Sequence, residues 1–419
     1  MPKKSEKPQA LGENGYKLIL TKVAASLKQA ERNLAADSIE LLDLSYSMEK
    51  LAREVLADSN QQRATAYFTA AVERLRQVAQ LRGDRGQELA FYYSAGQTYA
   101  GLGEVEEALK NFAQALKLSE ALNDRHSQAL ALRQLGNLKL RRSQWQEAIA
   151  CFEQSYKICQ DISESRDEAY ALNSLAAAYF HTAAWRKMEA TCQRAEALAE
   201  NIRDDELTAC IHNNLAALYN LQGQGEKALA ALQISVALFE KLGDLRGLAE
   251  ACNNLGTTYR DKEFWQESGK YYAKALQLAR QVGDAVVEAQ VTINRVELYL
   301  LMYDLEMAES QCQTALHMFH GIGHKSGEAD ACRLLGVTYT RQENWHLAQK
   351  YLDEALALNQ QFNQRLGLAE THKSYAEFWQ AQGKVKSAVR HWQKSLLHYQ
   401  ALKAHREIRN LRKRIAQAR

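Results

Sequence analysis

A period of forty residues runs through this chain and constrains its fold more than any other feature. One repeat position holds, in eight successive copies, Gly96, Gly136, Ala176, Ala216, Gly256, Val296, Gly336 and Ala376. Three residues later the same copies carry Tyr99, Lys139, Tyr179, Tyr219, Tyr259, Tyr299, Tyr339 and Trp379. Because no insertion or deletion interrupts the copies, they predict tandem structural units that stack on one another.

Each unit is predicted to be a pair of helices. The two prolines are Pro2 and Pro8, and a proline inside a helix costs about 3 kcal/mol, so no helix breaker of this kind follows residue 8. In the fifth copy we expect a first helix over "LAEACNNLGTTYRD" and a second over "FWQESGKYYAKALQLARQVG". Turn residues such as "LGDLRG" at 242–247 separate one unit from the next. The sequence therefore predicts an all-α fold with one continuous apolar core.

This pattern resembles the tetratricopeptide repeat family over residues 86–402, through its small, tyrosine, alanine and later aromatic positions. It departs from the family in two ways: the period is forty rather than thirty-four, and the proline that commonly closes a repeat is missing. The forty-residue form is similar to that of kinesin light chains, Pins-type polarity adaptors and bacterial peptide-sensing regulators. The resemblance implies a right-handed superhelical α-solenoid of tandem helix-turn-helix repeats, whose concave groove binds extended peptides or helices.

The chain divides into four predicted segments. They are a disordered tail at 1–15, N-terminal helices with a degenerate repeat at 16–85, eight forty-residue repeats at 86–402, and a basic capping helix at 403–419. The last segment has one apolar stripe, Ile408, Leu411 and Ile415, surrounded by arginine and lysine. This suits a cap, which seals the core with one face and meets solvent with the other.

Composition and charge narrow the class of protein. The formal net charge is only +3, so no overall field draws the chain to nucleic acid. No apolar run could span a bilayer, and the polar N-terminus lacks the features of a signal peptide. The seven cysteines include no C-x-x-C pair, which favours buried thiols over disulfides or a metal site. We expect a cytoplasmic protein with a protein or peptide partner and with neither a nucleic acid nor a membrane partner.

Asparagines recur on the face of the first helix that lines the groove in this family. With Gly256 numbered as position eight, position five holds Asn173, Asn213 and Asn253, and position six holds Asn214, Asn254 and Asn294. An amide side chain offers a donor and an acceptor together, which matches a peptide backbone. Contact with a bound peptide is one interpretation, and it is the stronger one for position five. Contact between repeats is the alternative, above all for position six.

Arginines on the same face complete the predicted binding residues. Arg133, Asn137 and Arg141 are four residues apart and share one helix face, where they could bind a carboxylate or phosphate or form a solvated surface. Arg260 and Arg333 flank the groove among carboxylates, so the pattern does not set the charge of a ligand. The carboxylate clamp of chaperone-binding relatives is incomplete, because Ser174 and Cys210 occupy two of its places. The candidate peptide-binding residues are thus the six asparagines with Arg133, Asn137, Arg260 and Arg333.

No catalytic motif is present in the sequence. We therefore expect a non-enzymatic adaptor, without cofactor or metal, that holds an extended segment of a partner along the asparagines. The alternative is a regulator of the bacterial peptide-sensing type that changes superhelix shape when a peptide binds. Arg295 stands where other repeats have leucine and Val296 where they have a smaller residue, so we expect looser packing in the sixth repeat.

Overall fold

The computed structural model describes residues 85–101, 104–182, 184–402 and 404–418. All regular secondary structure in these ranges is α-helical, in seventeen helices. The tail and the N-terminal helices predicted before residue 85 lie outside the described residues. The predicted all-α solenoid is confirmed by the described helices, which follow one another in pairs.

Sixteen helices form eight successive pairs, one pair to each forty-residue repeat. They are α1 (Arg85–Gly101) with α2 (Val105–Leu122), α3 (Arg125–Arg141) with α4 (Trp145–Asp161), α5 (Ser165–His181) with α6 (Trp185–Ile202), α7 (Asp205–Gln222) with α8 (Gly225–Leu242), α9 (Leu245–Asp261) with α10 (Trp265–Val282), α11 (Ala285–Leu301) with α12 (Leu305–Gly321), α13 (Lys325–Arg341) with α14 (Trp345–Gln361), and α15 (Arg365–Ala381) with α16 (Val385–Ala401). A last helix, α17 (His405–Gln417), follows the eighth pair.

The chain divides into two compact units, residues 1–138 and residues 139–419. In the described part of unit 1, Leu89, Tyr92, Ala115 and Ala131 form a buried cluster. In unit 2 each helix packs against the next one along the chain, and apolar clusters extend from one repeat into its neighbour. Helix α17 ends the stack, with Leu411 and Ile415 buried in the last cluster.

The glycines at position eight let the two helices of a pair approach closely. A Cβ added to Gly256 would lie 2.6 Å from the ring of Tyr272, sixteen residues later. A Cβ on Gly336 would lie 2.6 Å from Leu352, which stands at the same separation. The bulk that glycine lacks is thus supplied by the facing side chain of the second helix.

In the sixth repeat, the larger side chain stands on the first helix and the smaller one on the second. Val296 stands at position eight and the small Cys312 follows sixteen residues later, and both are fully buried in one cluster. Helix α11 continues through this point without interruption. The neighbouring Arg295 donates a hydrogen bond to the hydroxyl of Tyr299 at 2.5 Å, and its guanidinium lies 5.5 Å from the centre of that ring.

Aspartates at the repeat junctions cap the N-termini of several of the first helices. The Asp204 carboxylate accepts the backbone N–H of Leu207 at 3.0 Å, and Asp244 and Asp284 act in the same way before α9 and α11. The first amides of a helix have no partner within it, so a carboxylate placed there stabilises the helix start. These caps set where each repeat begins.

Candidate functional site

The first helices of the repeats line the concave face of unit 2. From α5 to α15, the first helix of each repeat packs against the first helix of the next, and the second helices of neighbouring repeats pack less closely. A stack whose first helices are closer together than its second helices curves toward the first helices. Side chains between neighbouring first helices therefore form the floor of the groove.

Asparagine side chains join the first helices of repeats three to six. In each contact, the Nδ2 atom of a position-six asparagine donates to the Oδ1 atom of the position-five asparagine in the preceding repeat. The three bonds are Asn214 to Asn173 at 2.8 Å, Asn254 to Asn213 at 2.8 Å and Asn294 to Asn253 at 3.0 Å. We call these six residues the asparagine ladder.

The ladder leaves part of its hydrogen-bonding capacity unused. An asparagine side chain can donate two hydrogen bonds and accept two. In the part of the chain that the structure describes, the Nδ2 atoms of Asn173, Asn213 and Asn253 donate to no protein atom, although each Oδ1 is occupied. None of these Nδ2 atoms is sealed from solvent. Asn213 and Asn253 are each only 8% exposed, so their unused donors reach solvent over a small area.

The sequence contains a signal for the ladder in the separation of its partners, in addition to their positions on the helix. The partners of each bond are 41 residues apart, one repeat plus one residue. Positions five and six are therefore complementary across a repeat boundary. Three consecutive boundaries carrying both asparagines are enough to predict the pairing.

A charged network continues the floor from repeat five to repeat eight. Arg260 forms an ion pair with Glu297, and the same carboxylate lies 3.4 Å from Arg333. Arg333 also lies 3.5 Å from Glu370 and 3.9 Å from Asp330. We call these five residues the groove network. The predicted candidates Arg260 and Arg333 are its cations, and each is already paired with carboxylates.

The pKa values of two carboxylates in the network are shifted in opposite directions. Burial by itself would raise the pKa of Glu297, but Arg260 and Arg333 outweigh it and hold that pKa below its usual value. Burial raises the pKa of Asp330 to about 6, and the more distant Arg333 opposes this only in part. Glu297 is therefore an ionised link between two arginines, whereas Asp330 takes up a proton more readily than Glu297 does.

Three other predicted residues, Arg133, Asn137 and Arg141, belong neither to the asparagine ladder nor to the groove network. Arg133 and Asn137 belong to unit 1, where both side chains are half-buried on helix α3. Arg141 lies in unit 2, where burial and the nearby charge of Arg246 lower its pKa. Arg246 itself bridges to Asp284 at 2.9 Å. Sequence reasoning placed Arg133, Asn137 and Arg141 on one helix face but did not indicate these surroundings.

Unit 2 also has contacts between repeats that are far apart along the chain. The backbone N–H of Ser326 in repeat seven donates to Ser143 Oγ in repeat two at 3.3 Å, across 183 residues. Trp185 of repeat three packs against the apolar cluster that contains Ala369 and Trp392 of repeat eight. The stack of unit 2 therefore comes back onto itself after about five repeats, which encloses the groove.

Tetratricopeptide repeat models match three stretches of the sequence, residues 87–161, 248–282 and 331–366. The matched stretches fall inside the eight helix pairs. The chain is a tetratricopeptide repeat protein. The family resemblance drawn from the forty-residue pattern is thereby confirmed. A comparison of this tetratricopeptide repeat protein with curated proteins gives no match.

Several solved structures have a similar fold. The Rap conjugation gene regulator of the plasmid pLS20, solved with a Phr peptide, is 12% identical with a TM-score of 0.58, over 83% of this chain and 96% of that one. Aspartyl phosphate phosphatase F from Bacillus subtilis is 14% identical with a TM-score of 0.53, over 85% and 97%. A signal transduction ATPase with a tetratricopeptide repeat sensor from Pyrococcus horikoshii is 14% identical with a TM-score of 0.50, over 98% and 66%. At these identities the likeness shows the fold alone.

The described residues lack two other kinds of site. None of their helices has both the length and the apolarity needed to cross a membrane. They contain no group of three or more histidine, cysteine, aspartate or glutamate side chains arranged to hold a metal ion.

Proposed function

We propose that this tetratricopeptide repeat protein is a non-catalytic scaffold that binds an extended segment of a partner protein along the asparagine ladder. The observation that carries the proposal is the row of unused Nδ2 donors on Asn173, Asn213 and Asn253. Packed helices lie about 10 Å apart, which equals about three residues of an extended chain. Successive asparagines could therefore hold every third carbonyl of a bound peptide. The tetratricopeptide repeats and the Rap-type relatives support a protein-interaction or peptide-sensing role.

The groove network would supply the side-chain preference of this site. It begins in repeats five and six, where the ladder has its last bond, and continues to repeat eight. A peptide held by its backbone on the ladder would place its next residues over Glu297, Arg333 and Asp330. Backbone bonds would then give affinity and the charged floor would give selectivity.

Asparagine-to-aspartate changes test the ladder, because the two positions use opposite ends of the amide. Asn213→Asp with Asn253→Asp keeps the oxygen that accepts from the next repeat and removes the unused Nδ2 donors. We expect this variant to bind peptides selected on the parent at least tenfold more weakly. It should lose less stability than the reciprocal variant below, because each new carboxylate still accepts the hydrogen bond from the next repeat and this bond offsets part of the cost of its burial. Binding is measured by fluorescence anisotropy with peptides from a random library, and stability by urea unfolding.

The reciprocal pair provides the contrast. Asn254→Asp with Asn294→Asp removes the donor that joins the repeats and sets oxygen against oxygen. We expect this variant to lose about 1–2 kcal/mol of stability. Asn123→Asp with Asn201→Asp, outside the ladder, controls for the added charge. If the Asn213 and Asn253 variant binds the selected peptides as the parent does, the ladder is not the ligand site.

A peptide-responsive regulator is the second candidate, and the contact between repeats two and seven favours it. The Ser143–Ser326 bond and the packing of Trp185 hold one turn of unit 2 closed. A peptide that fits the groove better when this turn is open, or when it is closed, would change the shape of unit 2. Small-angle scattering with and without a selected peptide distinguishes the regulator from the scaffold. A changed radius of gyration favours the regulator, and an unchanged one favours the scaffold.

A further inference from the structure

The charge of this chain is distributed very unevenly. The last 42 residues, 378–419, hold eleven lysines and arginines and one acidic residue, Glu407. Of the chain's 53 basic and 50 acidic residues, this leaves 42 and 49 for the other 377 positions. A chain of net charge +3 thus combines a strongly basic end with an acidic remainder. Such asymmetry indicates electrostatic attraction of a partner to the basic end.

Several basic side chains of this end are exposed on α16 and α17. Lys386, Arg390 and Lys394 recur every four residues along α16, so they share one helix face, and all three are exposed. On α17, Arg412 and Lys413 are also exposed. None of these five forms an ion pair with a described residue, whereas Arg414 lies 3.1 Å from Glu377. The solvent-facing side of a cap accounts for the charges of α17, but the capping role does not account for the charges on α16.

Helix α16 differs from every other second helix of the described repeats. It contains no aspartate or glutamate, whereas the other seven each contain at least one. Its exposed basic face ends at Leu397, whose side chain is 66% exposed. The other seven repeats have lysine, alanine, glutamine or histidine at that position. A large apolar side chain so placed beside unpaired cations is a feature of binding surfaces.

We propose that the exposed face of α16, formed by Lys386, Arg390, Lys394 and Leu397, is a second docking surface that binds an acidic amphipathic segment of a protein partner. The cations attract the carboxylates of that segment, and Leu397 packs against its apolar residues. Leucine adds nothing to phosphate recognition, and nucleic acid surfaces of this kind usually interleave aromatics. The surface lies outside the groove, so it extends the proposed scaffold to two partner segments.

A charge reversal on this face has a matched control in the fifth repeat. Lys270 and Lys274 occupy on α10 the repeat positions that Arg390 and Lys394 occupy on α16, and both are exposed. They differ in being paired with Glu267 and Glu240, so any stability lost through these pairs is measured separately by urea unfolding. We compare Arg390→Glu with Lys394→Glu against Lys270→Glu with Lys274→Glu in the full chain. A third variant, Leu397→Gln, installs the residue that the fifth repeat carries at that position, Gln277.

The probes are a fluorescent amphipathic peptide of glutamate and leucine and a DNA duplex of comparable charge. Both are titrated by anisotropy at low and physiological salt, after circular dichroism has shown that each variant is folded. We expect the α16 reversal to weaken peptide binding about tenfold, the α10 reversal to leave it unchanged, and Leu397→Gln to weaken the peptide but not DNA. The proposal is overturned if the parent does not bind the peptide, if both reversals act alike, or if DNA binds more tightly and Leu397→Gln affects neither probe.

Discussion

Replacing Gly256 by valine is expected to cost about 3 kcal/mol of unfolding free energy, since overpacking a tight core contact is destabilising by this order. The new Cβ would lie 2.6 Å from the Tyr272 ring, which is fully buried and cannot move into solvent. The Tyr272 hydroxyl is also held by Thr257 at 3.1 Å. Helix α9 and helix α10 must therefore separate. Urea unfolding followed by circular dichroism measures the loss.

The control for this prediction lies in the same repeat. A Cβ on Gly269 would meet only Leu298, at 3.9 Å, so Gly269→Val introduces the same side chain on a helix without the clash. We expect Gly269→Val to change stability by less than about 1 kcal/mol. If Gly256→Val costs no more than Gly269→Val, the close approach of the helices is not what the glycine provides.

A double substitution tests the same contact between the two helices in a second way. Gly256→Val with Tyr272→Cys reproduces in repeat five the pair that repeat six uses, Val296 and Cys312. Each single change should be strongly destabilising, one by crowding and the other by a cavity. The double variant should be more stable than the sum of the two losses predicts, by about 2 kcal/mol. Additive losses would contradict the size exchange inferred for the sixth repeat.

Acidification below pH 6.5 is expected to destabilise the eighth repeat through a cluster of three histidines. The ring of His372 lies 5.2 Å from that of His391 and 5.9 Å from that of His398, centre to centre. Burial is the main reason why the pKa values of His372 and His391 are lowered to about 4. The neighbouring His391 and Lys394 contribute to the shift of His372, and Lys394 contributes to that of His391. Burial, with the charge of Arg365, also lowers the pKa of His398.

The sign of this effect follows from the proton balance. An unfolded histidine takes up a proton near pH 6.5, whereas the folded cluster does so only near pH 4. Between these values the unfolded chain binds more protons, so the free energy of unfolding falls as the pH falls. The stability is fully present above pH 6.5, and its loss is complete below pH 4. We expect this cluster to contribute about 3 kcal/mol of that loss, allowing for coupling between the rings.

The substitutions that test the histidine cluster use the residues found at the same positions in other repeats. At the positions of His372 and His398, repeats two and three carry Leu132, Ile158, Leu172 and Leu198. His372→Leu with His398→Leu should flatten the dependence of stability on pH between 4 and 6.5, as measured by urea unfolding at several pH values. His317→Leu with His346→Leu, both exposed, should leave that dependence unchanged. Equal pH dependence in the parent and the cluster variant would contradict the prediction.

The sequence alone was sufficient for the fold because the information is local and repeated. In most copies a glycine or alanine at position eight meets a bulky residue sixteen positions later within one helix pair, as Gly256 meets Tyr272, so the spacing is visible in the sequence. The junction aspartates, such as Asp244, act within three residues of their own position. Both signals recur every forty residues, which made the helix pairs and their stacking predictable.

The site residues were predictable in type but not in partnership. Position five and position six were recognised as groove positions, yet whether Asn213 faces a ligand or another repeat depended on its distance from Asn254, 41 residues away. Arg333 was recognised as a groove residue, but its three carboxylate neighbours come from repeats six, seven and eight. Such contacts depend on how far one repeat rotates against the next, and the sequence of a single repeat does not specify that angle.

The tertiary structure alone decided where unit 2 meets itself. Ser143 and Ser326 carry no pattern that relates them, and their bond spans 183 residues. Small rotations between repeats add up over about five repeats before these residues meet, so a slight change in each angle would separate them. Local sequence therefore determined the repeats and the chemistry of their inner face, and the accumulated geometry of the stack determined which of those groups pair and how the groove is enclosed.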